Sequence, residues 1–392
     1  MLTSEEASVR WIRVMAVGAV ACVVGCAGSG SQGPAPASTG SVSTGAASTG
    51  PLAAPWPERE ILPENNTTLS STQVLDLAAS VLYALVPTPQ ESESTWLDLE
   101  AIDLRTGKLR RGETFAANGL ALASGFLWVY GPSGAHGHPV LDEVDPRTLG
   151  TIRSVSMPGV SGEDAAVAVA TGPAGSVWAA TGGTLLRVSV STGAVLARAV
   201  VPAGLSLTSL ALDPGGMNLY AGAERLKSLG GVVLKYSAVT GALLIQADGG
   251  PLTGAISGAW VSAVPGGVWV ALRTGMMGES GLLSARSLAV VSGFPAINPA
   301  TRGIGTVYGW TMSASPAYAG GALWVATDGG LVACVNPATG RVRAEEALPA
   351  QQDPVFSALA ADGTTRQVDA VVSTSTGFTG VVAISPPRNC WS

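Results

Sequence analysis

Charged residues are scarce in this chain of 392 residues: Asp, Glu, Lys and Arg together make up 12%. Lysine occurs only at Lys108, Lys227 and Lys235. Exposed helix faces in a soluble protein of this size carry many Lys, Glu and Gln residues, so the deficit argues against a helical architecture. No Lys/Arg stripe is visible and the net charge is −6, which excludes a nucleic-acid backbone as the expected partner. Histidine is almost missing, with His136 and His138 standing in one glycine-rich stretch. Alternate residues of an extended segment can share a metal, and Asp142 is close in sequence, but no cysteine or further histidine completes a ligand set. No Gly-x-Ser-x-Gly elbow is present, so a serine hydrolase triad has no frame. Gly303-Ile304-Gly305 lacks the βαβ setting and the downstream acid of a nucleotide site. No cofactor is expected.

What the chain does hold is 51 Gly and 25 Pro with much Val, Thr and Ser, a composition for short strands and tight turns. Mean hydropathy is +0.36, which raises the question of membrane spans. The uncharged stretches Gly249–Leu272 and Gly303–Thr327 are long enough to cross a bilayer. Yet Pro265-Gly266-Gly267 interrupts the first, and Pro316 and Gly320-Gly321 interrupt the second. Apolar residues there alternate with Ser, Thr and Gly, so two strands joined by a turn are expected in each.

The beginning of the chain reads as an address. Arg10 and Arg13 precede an uncharged apolar run, Val14 to Gly25, of signal-peptide length. The run ends in Val23-Val24-Gly25-Cys26, which resembles the bacterial lipobox. That resemblance implies cleavage before Cys26, acylation of its thiol and a stable membrane anchor. A tract rich in Gly, Ser, Thr, Pro and Ala follows, with Ser-Thr-Gly at positions 38–40, 43–45 and 48–50. It has too little apolar surface to order itself, and reads as a tether of roughly 30 Å. The expected organisation is a signal peptide at 1–25, a lipidated cysteine and linker at 26–57, and a folded body at 58–392. The expected location is the outer face of the cell membrane.

The body is repetitive. Short apolar segments centred on an aromatic recur at Tyr83, Trp128, Trp178, Tyr220, Trp269 and Trp324, spaced by 45, 50, 42, 49 and 55 residues. A seventh unit without the aromatic fits at Val368-Asp369-Ala370-Val371. Downstream, most units carry an apolar strand and a Thr-Gly turn, as in Asp103-Leu104-Arg105-Thr106-Gly107-Lys108 and Val190-Ser191-Thr192-Gly193. The fifth unit lacks this marker, and an insertion follows it around Arg286–Tyr308. A period near 46 residues with two offset markers matches one four-stranded blade. The fold class is therefore all-β: a β-propeller of about seven antiparallel blades filling Thr72 to Ser392, with the aromatics packed between blades.

At these residues the chain resembles the quinoprotein-like, YVTN-like and streptogramin-lyase-like β-propellers. Gly321-Ala322-Leu323-Trp324-Val325-Ala326-Thr327 is similar to the lyase repeat, and Asp103 to Lys108 to the quinoprotein repeat. The resemblance implies the fold more than an activity. Quinoprotein dehydrogenases follow this turn with a docking Trp, where Leu109-Arg110-Arg111-Gly112 stands here. The lyases need a catalytic His with a metal-binding acid, and only His136 and His138 are available.

Binding is expected on the loops joining second to third strands, because they emerge together on one face of the ring. Those loops are Pro87–Thr95, Gly131–His138, Thr181–Thr184, Gly222–Gly231, Arg273–Gly281, Thr327–Gly330 and Ser373–Gly380. Their candidate ligand-face residues are His136, His138, Glu224, Arg225, Lys227, Arg273, Met276, Met277, Glu279 and Asp328. Cys334 and Cys390 form an even pair once Cys22 and Cys26 are set aside, and a bridge would staple the last unit to its neighbour. The first functional expectation is a monomeric, surface-tethered binding or scaffold module for a protein or cell-wall ligand. The alternative is an enzyme of lyase, lactonase or quinoprotein dehydrogenase type with its site in the central funnel. Acids and histidines converging on the axis would mark the enzyme, and a lining of Ala, Ser and Gly the binding module.

Overall fold

The computed structural model describes residues 58–65, 73–76, 79–87, 96–117, 119–131, 140–157, 166–181, 183–226, 231–248, 256–274, 277–291, 317–326, 331–339, 342–347, 355–373 and 379–391. Cys26, the linker and the insertion beyond Val291 lie outside the described residues.

Each unit becomes one antiparallel sheet, numbered here from the axis outward. The first strand of the chain, β1 (Glu58–Asn65), belongs to the last sheet. Blade one is β2 (Gln73–Asp76), β3 (Val81–Pro87), β4 (Trp96–Asp103) and β5 (Leu109–Ala116). Blade two is β6 (Gly119–Ala123), β7 (Phe126–Gly131), β8 (Val140–Val144) and β9 (Thr151–Ser156). Blade three is β10 (Ala166–Gly172), β11 (Ser176–Thr181), β12 (Thr184–Ser189) and β13 (Val195–Val200). Blade four is β14 (Leu205–Leu212), β15 (Asn218–Arg225), β16 (Gly231–Ser237) and β17 (Leu243–Asp248). Blade five is β18 (Ile256–Val264), β19 (Gly267–Thr274) and β20 (Met277–Ser284), with a single bridge from Leu283 to Val290 where an outer strand would start. Blade six is β21 (Ala317–Ala319), β22 (Ala322–Ala326), β23 (Leu331–Val335) and β24 (Val342–Ala347). Blade seven is β25 (Val355–Asp362), β26 (Gln367–Ser373) and β27 (Thr379–Ile384), completed on its outer side by β1. The chain therefore enters the ring before Thr72: the N-terminal strand pairs with β27, Glu58 opposite Ile384, and closes the circle.

Seven buried clusters hold the ring together, and each joins two neighbouring blades. Strand alternation explains this, because successive side chains point to opposite faces and both faces of a blade are covered. Trp178 and Leu219, from blades three and four, share one cluster. Trp324 and Ala370, from blades six and seven, share another. The recurring aromatics are all buried and all face the following blade.

The turn between third and fourth strands is uniform in blades one to five. Gly107, Leu149, Gly193, Gly241 and Leu288 donate their amides to Asp103, Asp145, Ser189, Ser237 and Ser284 carbonyls at 2.8–2.9 Å. All five have positive φ, between 55° and 75°. This is a type I turn closed by a bulge in which the fourth residue is left-handed. Blade five thus makes the same turn without the Thr-Gly marker, because Leu288 takes the glycine's place.

Gly249–Leu272 resolves over its described part into β18, the Pro265-Gly266 turn and β19; Gly320-Gly321 likewise joins β21 to β22. Among the described residues, no helix is long and apolar enough to cross a membrane.

Candidate functional site

The innermost strands β2, β6, β10, β14, β18, β21 and β25 contact one another in sequence around the axis. A cross-blade hydrogen bond ties two of them, Val261 N–H donating to Ser209 Oγ at 3.0 Å. These seven strands form the channel wall, and their sequences are mostly Ala, Val, Leu, Ser, Thr and Gly, with Gln73, Ile256, Trp260, Tyr318 and Phe356 besides. Asp76 and Asp362 are their only charged residues, both at strand ends. Both are occupied by their own turns. Asp76 Oδ1 accepts the Ala79 amide at 3.1 Å. Asp362 accepts the Thr364 amide and the Thr365 hydroxyl, each at 2.8 Å, and these bonds hold its carboxyl below the usual range.

The sequence-derived site residues fall into two groups. His136, His138, Lys227, Met276 and Asp328 lie outside the described residues, as do Cys26 and most of the loop tips. Glu224 and Arg225 end β15, Arg273 is in β19, and Met277 and Glu279 are in β20. They are strand residues rather than loop residues, because the β19–β20 hairpin stays paired until Thr274 meets Met277. Glu224 is half-buried at the rim of blade four, and burial raises its carboxyl pKa. Asp142, considered with the histidine pair, sits in β8 and accepts the Ser154 hydroxyl at 2.5 Å. Burial raises its pKa as well.

Cys334 and Cys390 are bonded, with their Cα atoms 5.7 Å apart. Cys334 is in β23, whereas Cys390 lies beyond the last strand in a one-turn 3-10 helix, Arg388–Cys390. The chain has already left β27 there and folds back onto blade six. Trp391 follows and lies against Trp324, with ring centroids 4.6 Å apart. Its ring covers Gly320 so closely that any side chain at that position would collide with it. Asn389 donates to Arg343 O at 3.3 Å and Arg343 to Cys390 O at 3.4 Å.

The outer seams contain residues that the sequence reading passed over. Opposite each recurring aromatic, the third strand carries a residue on the same face: Glu143 opposite Trp128, Arg187 opposite Trp178, Lys235 opposite Tyr220. Arg187 donates to Val239 O of blade four at 2.9 Å. Lys235 donates to Ala285 O of blade five at 2.7 Å. From blade one, Arg110 reaches Pro146 O and Arg147 O of blade two. Turn carbonyls at these seams thus receive a cation from the preceding blade. For Arg187 and Lys235 the sequence signal was present, a lone charge in an otherwise uncharged strand, but its partner belongs to the next repeat.

No protein-family model matches the chain, and no curated protein matches it either. Solved structures do. The β-propeller domain of Cps50 (Swd1) from Myceliophteria thermophila aligns with TM-score 0.55 at 12% identity, covering 84% of this chain and 100% of that one. A chain of the Mitotic Checkpoint Complex aligns with TM-score 0.57 at 12% identity, covering 84% and 93%. A chain of the Kuenenia stuttgartiensis hydrazine synthase aligns with TM-score 0.56 at 12% identity, covering 81% and 96%. At this identity the similarity establishes the seven-bladed fold alone.

Proposed function

We propose that this protein is a lipid-anchored, extracytoplasmic binding or scaffold module. The observation that carries the binding reading is the channel wall. A funnel enzyme needs an acid, base or metal ligand aimed at the axis. The inner strands offer only Asp76 and Asp362, and both serve their own turns. Binding then falls to the second-to-third-strand rim, where Glu224 and Arg225 stand at the end of β15. The mixed neighbours, among them a checkpoint assembly and a synthase, suit a fold used as a platform. The anchor reading rests on Val23-Val24-Gly25-Cys26 and the tether. The Cys334–Cys390 bond supports it, because such bonds persist in oxidising compartments.

Mass spectrometry of the membrane-extracted chain tests the anchor: a diacylglyceryl mass on Cys26 is expected, with Cys26→Ser moving the protein to the soluble fraction. Co-sedimentation of Cys26→Ser protein with isolated cell envelopes tests the binding role. Retention is expected, reduced severalfold by Arg225→Ala together with Glu224→Ala. Passage of the soluble protein without retention would sink the binding reading and leave the anchor standing.

A further inference from the structure

The seam between blades two and three is built differently from its neighbours. Where blades three and four place Arg187 and Lys235, blade two places Glu143. A carboxylate has no proton to give a turn carbonyl. Glu143 turns instead to Arg153 of its own outer strand β9, whose Nε lies 2.9 Å away. Trp128 behaves the same way. Its indole N–H donates to Ala123 O within blade two at 3.1 Å, whereas Trp178 donates to Ala238 O of the next blade at 2.9 Å.

An open cleft of about 510 Å³ lies at this seam, walled by 152–156 of β9 and by Thr192, Gly193 and Val195 of blade three. β9 is the outer edge of its sheet, so among the described residues one side of its backbone has no strand partner. Thr151 is engaged by Glu113 of blade one, through its hydroxyl at 2.7 Å and its amide at 3.3 Å, which sets where the free edge begins. Beyond it Ile152 is a bulge residue, skipped in the β8–β9 register, and the regular edge runs through 153–156; all five residues line the cleft. Ile152 and Val195 expose aliphatic surface there, 46% and 42%. Arg153 is matched by Glu143, so the cleft is electrically balanced and does not favour a charged occupant.

We propose that this cleft binds an extended, uncharged polypeptide segment of a partner protein. The segment pairs with the free edge of β9 as a fifth strand of blade two and rests aliphatic side chains on Ile152 and Val195. At a strand rise of about 3.4 Å, the four regular residues past the bulge present roughly 14 Å of edge, enough for a segment of similar length. This surface is distinct from the rim and the channel, and it stands whether or not the rim binds anything.

The test uses a fluorescent heptapeptide of alternating Val and Thr, titrated into the detergent-solubilised full chain and followed by anisotropy. Saturable binding is expected. Ile152→Asp and Val195→Asp, both on exposed positions that leave the core untouched, are each expected to weaken it at least tenfold. Leu244→Asp, on the outer strand of blade four and 51% exposed, is expected to leave it unchanged. Hydrogen exchange should slow at 152–156 when peptide is present, and an N-methylated peptide should not bind. Absence of saturable binding to folded protein, or equal loss with Leu244→Asp, overturns the proposal.

Discussion

Trp178 and Tyr220 occupy equivalent positions on consecutive blades, yet their polar atoms end differently. Trp178 Nε1 donates to Ala238 O across the seam. The corresponding carbonyl for Tyr220 is Ala285 O, and Lys235 Nζ already takes it at 2.7 Å. The Tyr220 hydroxyl is left buried with no hydrogen-bond partner among the described residues. Burial, with Asp213 nearby, pushes its pKa up to about 12. An unpaired buried hydroxyl costs about 1–3 kcal/mol, so Tyr220→Phe should be neutral or stabilising by about 1 kcal/mol in urea unfolding. Trp178→Phe, which loses a made bond and ring volume, should cost roughly 2 kcal/mol in the same assay. Glu224 is the titrating counterpart. Burial raises its folded pKa, so the folded state resists its charge. The associated stability is present below the unfolded value, about 4.3, and is lost as pH rises through the raised folded value. Glu224→Gln should therefore raise the melting temperature at pH 7, with the gain vanishing near pH 4. An equal gain at both pH values would contradict the assignment. The aromatic positions were legible from recurrence alone. The fate of their polar atoms was not, because the acceptor belongs to a turn some 60 residues away, as Trp178 and Ala238 show.

Turns decide the elements, and here the sequence was partly readable. Thr-Gly marked the outer turn in blades one, three and four because glycine enters left-handed backbone without a steric cost. Leu288 hid the same turn in blade five: its φ is 55° and its side chain is only 3% exposed. Burial against blade four offsets the strain, and burial cannot be seen before the neighbouring blade is placed. Ala174, in the β10–β11 turn, has φ 50° but an exposed methyl with nothing to offset the strain. The two positions should respond to glycine with opposite signs. Ala174→Gly should raise stability by about 1 kcal/mol. Leu288→Gly should lower it by about 1–2 kcal/mol, since a buried leucine contributes more than the strain costs. Chemical denaturation of both variants checks the pair, and a shared sign would show that strain and burial are wrongly apportioned. Hairpin length misled in the other direction. Arg273 and Glu279 looked like loop residues because Gly and Met surround them, but cross-strand pairing continues nearly to the tip.

For the molecule as a whole, closure is the demanding step, since a ring of blades has one junction that no continuous chain crosses. Two devices meet near it. β1 pairs with β27 from the opposite end of the chain. The Cys334–Cys390 bond then fixes the tail to blade six over a separation of 56 residues. The seam between blades seven and one needs such help. Asp369 replaces the aromatic there, buried and hydrogen-bonded by Gln367, and the described cluster consists of Leu82, Leu104, Val371 and Val381 with Ile102. The missing seventh aromatic was visible in the sequence, whereas its consequence required knowing that β1 closes blade seven. Cross-linking a loop of this length stabilises by about 4 kcal/mol on the chain-entropy estimate. Cys390→Ser should therefore lower unfolding stability by roughly 2–4 kcal/mol, yet leave the far-ultraviolet circular dichroism unchanged because β1 still holds blade seven. Its tryptophan emission should shift to the red as Trp391 leaves Trp324. Removal of residues before 66 should act differently, baring the edge of β27 and producing concentration-dependent association in sedimentation. If the cysteine variant instead loses its sheet signal, the disulfide closes the ring and β1 is secondary; if the truncated chain stays monomeric with full stability, β1 is not the closing strand.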